Sequence, residues 1–302
     1  MQKPLVTLVV CTRHRPERMR MLLENVKAEE ASLHAVVVVD SSEDRQTEIL
    51  CQEIGMPQLK YIKSEPGLPR QRNAGIGHML GSHEGEFIIS FLDDDVRVPS
   101  GYFESVRHQF EAIPESVCIA GFDLNLTEPA SSLIHRLYFL REKNDQGKVL
   151  KSGIAIPVYH PTRLVECDWA PGHSLNIRAS ALRKVQFNSS IRMYGEDVEF
   201  LLRLGQVGKI HVGPPFGVWH NQEPGGREGA AAAEGYNAGF RYSLATVYPK
   251  RFSKYRVLVS TACLMVGYFL KGLVNQDKVS SQRAKGLFLF FYRLALRKSI
   301  TQ

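Results

Sequence analysis

The stretch Phe87-Ile88-Ile89-Ser90-Phe91-Leu92-Asp93-Asp94-Asp95 decides the reading of this chain. Its apolar run reads as a strand buried on both faces, and three carboxylates mark the carboxyl end. Upstream, Leu5-Val6-Thr7-Leu8-Val9-Val10-Cys11 and Ala35-Val36-Val37-Val38-Val39 read the same way, the second ending at Asp40. Between them Pro16 suits a first helical turn, and Met19, Leu22, Leu23 and Val26 follow at amphipathic spacing. A helix over Gln46 to Glu53, a short strand at Leu59 to Ile62 and a helix from Pro69 toward Leu80 complete the alternation. Gly75 and Gly77 weaken the last of these helices. Strand and helix in turn predict an α/β fold of right-handed βαβ units with a mostly parallel central sheet. Ligands of such sheets sit at the carboxyl ends of the strands. Thr12-Arg13, Asp40 and Asp93-Asp94-Asp95 all lie at such ends.

Downstream the pattern is mixed. Short strands are expected near Val117 to Phe122, a loop-rich stretch around Pro157 to Pro171, and a helix over Glu196 to Leu204. Ala230 to Ala233 reads as helix, and the segment from Tyr255 as a separate helical unit. The expected division is therefore a catalytic domain over 1–240, with halves of about 1–115 and 116–240, and a tail over 241–302.

With 302 residues, 44% of them hydrophobic and 23% charged, the chain can bury a core without disulfide or metal staples. Five scattered cysteines (Cys11, Cys51, Cys118, Cys167, Cys263) offer no C-x-x-C pair. They read as reduced thiols of a cytoplasmic protein. The apolar run at Leu5 is too short for a signal peptide and meets Thr12-Arg13-His14-Arg15 with no cleavage site. The net charge of +7 is unevenly placed: from Arg241 onward twelve Lys and Arg face the single acid Asp277. A basic tail that is also apolar points to a membrane surface, whereas nucleic-acid binding needs basic residues spread over a readable face.

The carboxylates carry the chemistry. Asp93 and Asp95, at i and i+2 after a strand, can converge on Mg²⁺ or Mn²⁺, which would also bridge diphosphate oxygens. An Asp-rich turn is the plain alternative, although three acids in a row repel one another without a cation. Asp40, with Thr12-Arg13 facing the same ligand, can accept a hydrogen bond from a nucleobase N–H, or it can cap a turn. Arg70, Arg72 and Asn73 stand near a helix start that suits a diphosphate, or they form a solvated face. Glu196 and Asp197 open a helix, where the dipole favours acids. Functionally, Asp197 can take the proton of an acceptor hydroxyl, with Glu196 touching donor or acceptor. Trp169, His173 and Asn176 can line an acceptor site, though Trp169 also reads as core.

Taken in order, these pieces resemble the family 2 glycosyltransferases of the GT-A fold over roughly residues 5–225. The matching motifs are Val9-Val10-Cys11-Thr12-Arg13 with Pro16, Val39-Asp40-Ser41-Ser42, Arg70-Gln71-Arg72-Asn73-Ala74-Gly75, Phe91-Leu92-Asp93-Asp94-Asp95 with Pro99, and Gly195-Glu196-Asp197. The resemblance implies a GT-A (Rossmann-like) domain and inverting transfer from a UDP- or dTDP-sugar to a glycan or lipid-linked acceptor. It further implies that Asp40 recognises the base, Asp93 reaches the ribose side, Asp94 joins the donor site, Asp95 ligates the metal and Asp197 is the base. His220 matches a later histidine that completes the metal site in family members. Two departures stand out: Asp40-Ser41-Ser42 replaces an Asp-Asp-Gly-Ser-like turn, and the Q-x-x-R-W signature of processive synthases is absent. Single additions are expected. A sugar-nucleotide nucleotidyltransferase would open with a Gly-rich loop where this chain has Cys11-Thr12-Arg13-His14-Arg15-Pro16; a non-catalytic protein of the same fold would not need Glu196-Asp197.

In the tail, Val257 to Leu270 carries no charge but is shorter than the about 20 residues that cross a bilayer. Gly286 to Lys298 is a second apolar segment edged with cations. The pair reads either as an amphipathic hairpin on the inner face of the cell membrane, or as helices packed on the catalytic domain or a second copy.

Overall fold

Strand β1 (Leu5–Thr12) buries both of its faces, as its unbroken apolar sequence requires. The computed structural model describes residues 4–130, 133–191, 194–221 and 229–296. Of these, the residues up to 128, in 157–192 and in 196–222 form one compact unit; those in 129–156, in 193–195 and from 223 onward form another.

In the first unit the chain runs β1, α1 (Pro16–Lys27), β2 (Ala35–Asp40), α2 (Gln46–Ile54), β3 (Leu59–Lys63), α3 (Leu68–Ser82) and β4 (Phe87–Asp93). Strands β3, β2, β1 and β4 lie side by side, all parallel. Register pairs Thr12 with Asp40 and Cys11 with Asp93, so the carboxyl ends stand level. On one face Val6, Leu8 and Val10 pack with Leu22 and Leu23 of α1. On the other, α3 runs unbroken through Gly75, because the glycine lets helix and sheet touch. A Cβ there would stand 2.5 Å from Val9 Cγ1.

Beyond β4 the sheet becomes mixed. After β5 (Val96–Arg97), α4 (Tyr102–Ala112) and β6 (Ser116–Asp123), the short α5 (Leu133–Leu137) belongs to the second unit. The chain continues with β7 (Val165–Glu166), β8 (Ser174–Arg178), α6 (Ala179–Leu182), α7 (Glu196–Leu204) and β9 (Lys209–His220). Strand β8 is antiparallel to both β4 and β6, β9 is parallel to β6, and β5 and β7 pair antiparallel with β9.

Strand β9 has no counterpart in the sequence reading, because Pro214 and Pro215 argue against a strand. They are tolerated at a bulge: Val212 pairs with Ala120 and Gly217 with Phe122, so residues 213–216 stand opposite Gly121 alone. Strand β8 carries the acceptor candidate Asn176 into the core. Its Oδ1 accepts from Ser90 Oγ (2.6 Å), and its Nδ2 donates to Ile119 O (2.9 Å) and Tyr102 Oη (3.1 Å). Asn176 is fully buried and satisfied, so it ties strands together and does not line an acceptor site.

In the second unit α8 (Ala230–Val247), α9 (Lys254–Val274) and α10 (Lys278–Ala295) pack together around Ala238, Leu287 and Phe290. Ser253 caps α9 by accepting from Arg256 N, and Asp277 caps α10 by accepting from Val279 N and Ser280 N. The segment 139–156 joins this unit through Ser253 N, which donates to Lys151 O (2.8 Å), and through an Arg256–Glu142 ion pair (3.1 Å). Helix α9 corrects the estimate made from the uncharged run. It extends through Lys254 and Lys271 to 21 residues, about 31 Å, with a mean hydropathy of 1.9 in its most apolar window. By length and composition it is able to cross a membrane. Arg297 and Lys298 lie outside the described residues.

Candidate active site

Strand β4 ends in Asp93, and the turn after it carries Asp94 and Asp95. Asp93 and Asp95 turn to one side, where His220 from the end of β9 joins them; one ligand atom from each lies within 4.8 Å of the others. His220 Nε2 is 3.1 Å from Asp95 Oδ1. Two carboxylate oxygens and one imidazole nitrogen form a donor set that suits Mn²⁺ or Mg²⁺.

Asp94 turns inward. Buried, it accepts from Thr12 Oγ1 (2.6 Å) and Arg15 Nη1 (3.1 Å), and so ties β1 to β4. Thr12 is thereby a buried structural residue, while Arg13 pairs with Glu43 at the surface (2.8 Å). Arg15, which also reaches Asp95 (3.4 Å), was missed in sequence: nothing in its spacing marks it. With Arg72 it offsets part of the repulsion that the sequence reading left to a cation.

Arg72 and Arg70 part company at the start of α3. Arg70 is exposed. Arg72 is buried, 2% exposed, and donates through Nη2 to Asp93 Oδ1 (3.2 Å) and Gly172 O (2.9 Å). Its Nη1 stands 3.6 Å from Glu196 Oε1. Asn73 clamps the loop before α7: its Nδ2 donates to Phe187 O (2.8 Å) and its Oδ1 accepts from Phe187 N (3.0 Å). Both polar ends are engaged, so Asn73 holds a loop.

Asp40 follows the plainer of its two readings. It has no exposed surface, its Oδ1 accepts from Ser42 N (2.9 Å) and Ser42 Oγ (2.5 Å), and its Oδ2 accepts from Tyr61 Oη (3.1 Å). A carboxylate so enclosed shapes the turn after β2. Gln71, not anticipated, braces the same corner by donating to Thr12 O (2.8 Å) and Val39 O (2.9 Å).

On the other side of Arg72 stands the pair that opens α7. Asp197 Oδ1 accepts from Val198 N (2.7 Å) and Oδ2 from Gly172 N (3.1 Å). Burial pushes Asp197 above the usual carboxylate range, although Arg72 and these N–H groups pull against it. Glu196 is raised to about 7, by burial first and by the charge of Asp197 second. Asp95 ends low despite its own burial, because His220 and Arg15 favour its charge; Asp93 ends high, burial outweighing Arg72.

The two remaining acceptor candidates gather here. Trp169 is buried near Asp197, its indole N–H short of hydrogen-bond geometry and exerting only the weakest of the pulls on that carboxyl. His173 is buried against His220, ring centroids 4.7 Å apart, and neither of its nitrogens has a hydrogen-bond partner. Burial brings it down to about 3, so it is a neutral imidazole beside the aspartate cluster.

Solved structures of similar fold are glycosyltransferases at low sequence identity. A mannosyltransferase from Pyrobaculum calidifontis, in complex with GDP-Man and Mn²⁺, superposes with a TM-score of 0.61 at 14% identity, over 99% of this chain and 89% of that one. GalNAc-T7 with UDP, GalNAc and Mn²⁺ gives 0.57 at 13% identity, over 98% of this chain and 59% of the other. TarS of S. aureus gives 0.53 at 13% identity, covering 87% of this chain and 43% of TarS. No curated protein matches the chain in sequence. The sequence profile described as glycosyl transferase family 2 matches residues 7–165, from β1 and the aspartate cluster through β7. More than half of the chain thus carries the family pattern on a GT-A-like fold, and the protein belongs to the family 2 glycosyltransferases.

Proposed function

We propose that this enzyme transfers a sugar, with inversion at the anomeric carbon, from a UDP- or dTDP-sugar to a hydroxyl of a glycan or lipid-linked acceptor. The observation that carries the reading is Arg72. One buried guanidinium contacts Asp93 of the metal-binding candidates and Glu196 of the carboxylate pair, so the two groups flank a single cation. Asp93, Asp95 and His220 would hold Mn²⁺ or Mg²⁺. When bound, the ion neutralises charge on the leaving nucleotide diphosphate. His173, its ring nitrogens unpartnered, fits a site completed by a ligand.

Asp197 would take the proton of the acceptor hydroxyl as its oxygen attacks the anomeric carbon and the bond to the diphosphate breaks. Gly172 N and Val198 N fix the orientation of that carboxylate. Burial raises its proton affinity, which suits a base at neutral pH. Since Asp40 is engaged in its turn, base selectivity would come from other groups at the ends of β1 and β2. The proposed place of work is the inner face of the cell membrane, in keeping with the hydropathy of α9.

The test is calorimetric titration of UDP, dTDP, GDP and ADP with and without Mn²⁺. Metal-dependent binding of UDP or dTDP, lost in Asp95→Ala, is the expected result. Folded protein that binds none of the four overturns the reading.

A further inference from the structure

Helices α9 and α10 leave a broad apolar surface uncovered within their unit. On α9, Val266, Phe269, Leu270 and Leu273 recur at i, i+3, i+4 and i+7, each more than half exposed. On α10, Phe288, Leu289 and Tyr292 form a similar stripe, and exposed Leu296 follows at its C-cap. Scattered exposed apolar residues are ordinary, but two stripes on neighbouring helices of one hairpin call for a covering partner.

Charge selects the partner. Between 254 and 296 there are seven cations and one acid, Asp277. That acid is occupied in capping α10. Lys271, Lys278, Lys285 and Arg293 are exposed beside the stripes. A second copy of this chain would bring like charges together across such a face, whereas an anionic lipid surface complements it.

The depth of contact follows from the other end of α9. Arg241 of α8 is buried and donates to Ser260 Oγ (3.3 Å) and Thr261 Oγ1 (3.1 Å). Arg256, one turn earlier, pairs with Glu142. Were α9 to cross a bilayer, a guanidinium and this ion pair would have to enter hydrocarbon or lose their partners, either of which is costly. The half from Val266 to Val274 is tied in the same way: Tyr268 Oη donates to Glu234 Oε1 (3.2 Å), which stands 3.7 Å from Arg283, and Lys271 lies 3.8 Å from Asp277. We infer that the α9–α10 hairpin docks on anionic lipid by lying in the headgroup boundary, its apolar stripes inserted and its lysines on phosphates, without spanning the membrane. The inference is independent of the donor chemistry, which is read in solution without lipid.

The test uses the full chain and sedimentation with vesicles of phosphatidylcholine alone or mixed with phosphatidylglycerol. Binding to the mixed vesicles is expected, and it should weaken about tenfold or more in Lys271→Glu/Lys278→Glu and in Phe269→Ser/Leu273→Ser. All four positions are exposed, so the fold is spared; undiminished nucleotide binding in solution confirms it. Depth is read with Phe269→Trp and lipids brominated near the headgroup or near the chain end. Stronger quenching by the shallow bromines is expected, and stronger quenching by the deep ones overturns the surface mode. Absence of vesicle binding, with or without a dimer that the serine variant dissolves, overturns the inference altogether.

Discussion

At the end of β4, Asp95 is held below the ordinary range; at the start of α7, Glu196 and Asp197 are held above it. Both regions are acidic, both are largely buried, and both have an arginine within reach. The difference is how each acid is paired. Asp95 has His220 at 3.1 Å and Arg15 at 3.4 Å, the latter shared with Asp94 at 3.1 Å. Glu196 and Asp197 face one guanidinium already committed to Asp93, and each raises the cost of charging the other. Asp95 is therefore the carboxylate of the site that favours its charge, whereas Asp93, Glu196 and Asp197 favour the protonated form.

Substitution can break this contrast, most severely at the base. Asp197→Asn keeps the shape but removes the proton acceptor, so kcat should fall about a thousandfold while nucleotide binding persists. Steady-state kinetics alongside calorimetry would separate the two, and turnover that survives in folded protein means the base lies elsewhere. Asp95→Ala should do the reverse, weakening metal-dependent nucleotide binding by tenfold or more, since losing even an outer partner of a metal ligand costs about 10–100-fold.

The pH profile sharpens the comparison further. A base must be deprotonated to act, and burial raises Asp197, so kcat should climb with pH on a limb that lies above the ordinary carboxylate range. Glu196→Gln removes one charge and should move that climb toward acid; an unmoved profile would show that the pair is not coupled. The same shift has a stability consequence of opposite sense. The folded pair retains a proton where unfolded carboxyls, near about 4, have lost theirs. Its contribution to stability is thus greatest in acid and is lost as pH rises through about 7. The smallest effect is expected at Asp40: Asp40→Asn should cost about 1 kcal/mol in chemical denaturation and leave nucleotide selectivity unchanged.

The parallel half of the sheet was legible because β1, β2 and β4 are largely apolar runs with a charged or turn-forming end. Asp93 and Asp95 were legible as a pair at i and i+2 after an apolar strand, although Asp94 and Asp95 lie in the turn that follows β4. What escaped was decided by long-range packing. Asp40 gives no local sign that Tyr61, twenty-one residues on, will close over it. Asn176 looks like an acceptor ligand until β8 is inserted between β4 and β6. Arg15 and Gln71 act through partners on other strands, and no periodicity announces them. In the second unit, the uncharged run understated α9 because a helix does not end where its charges begin.

The bulge in β9 has a bearing on how this enzyme can vary. Residues 213–216 occupy the space of one, so the strand is three residues longer than its neighbour over that stretch, an odd number. Side chains alternate with a period of two, and the surplus therefore works like a reading-frame shift that sets the phase of everything after it. His220 reaches Asp95 because it lies in the correct phase. Exchanging one residue for another within 213–216 leaves that frame intact, whereas deleting a single one would bring Asn221 into the register of His220 and turn the imidazole to the opposite face. Lineages of this enzyme should thus tolerate spelling changes at the bulge and resist changes in its length.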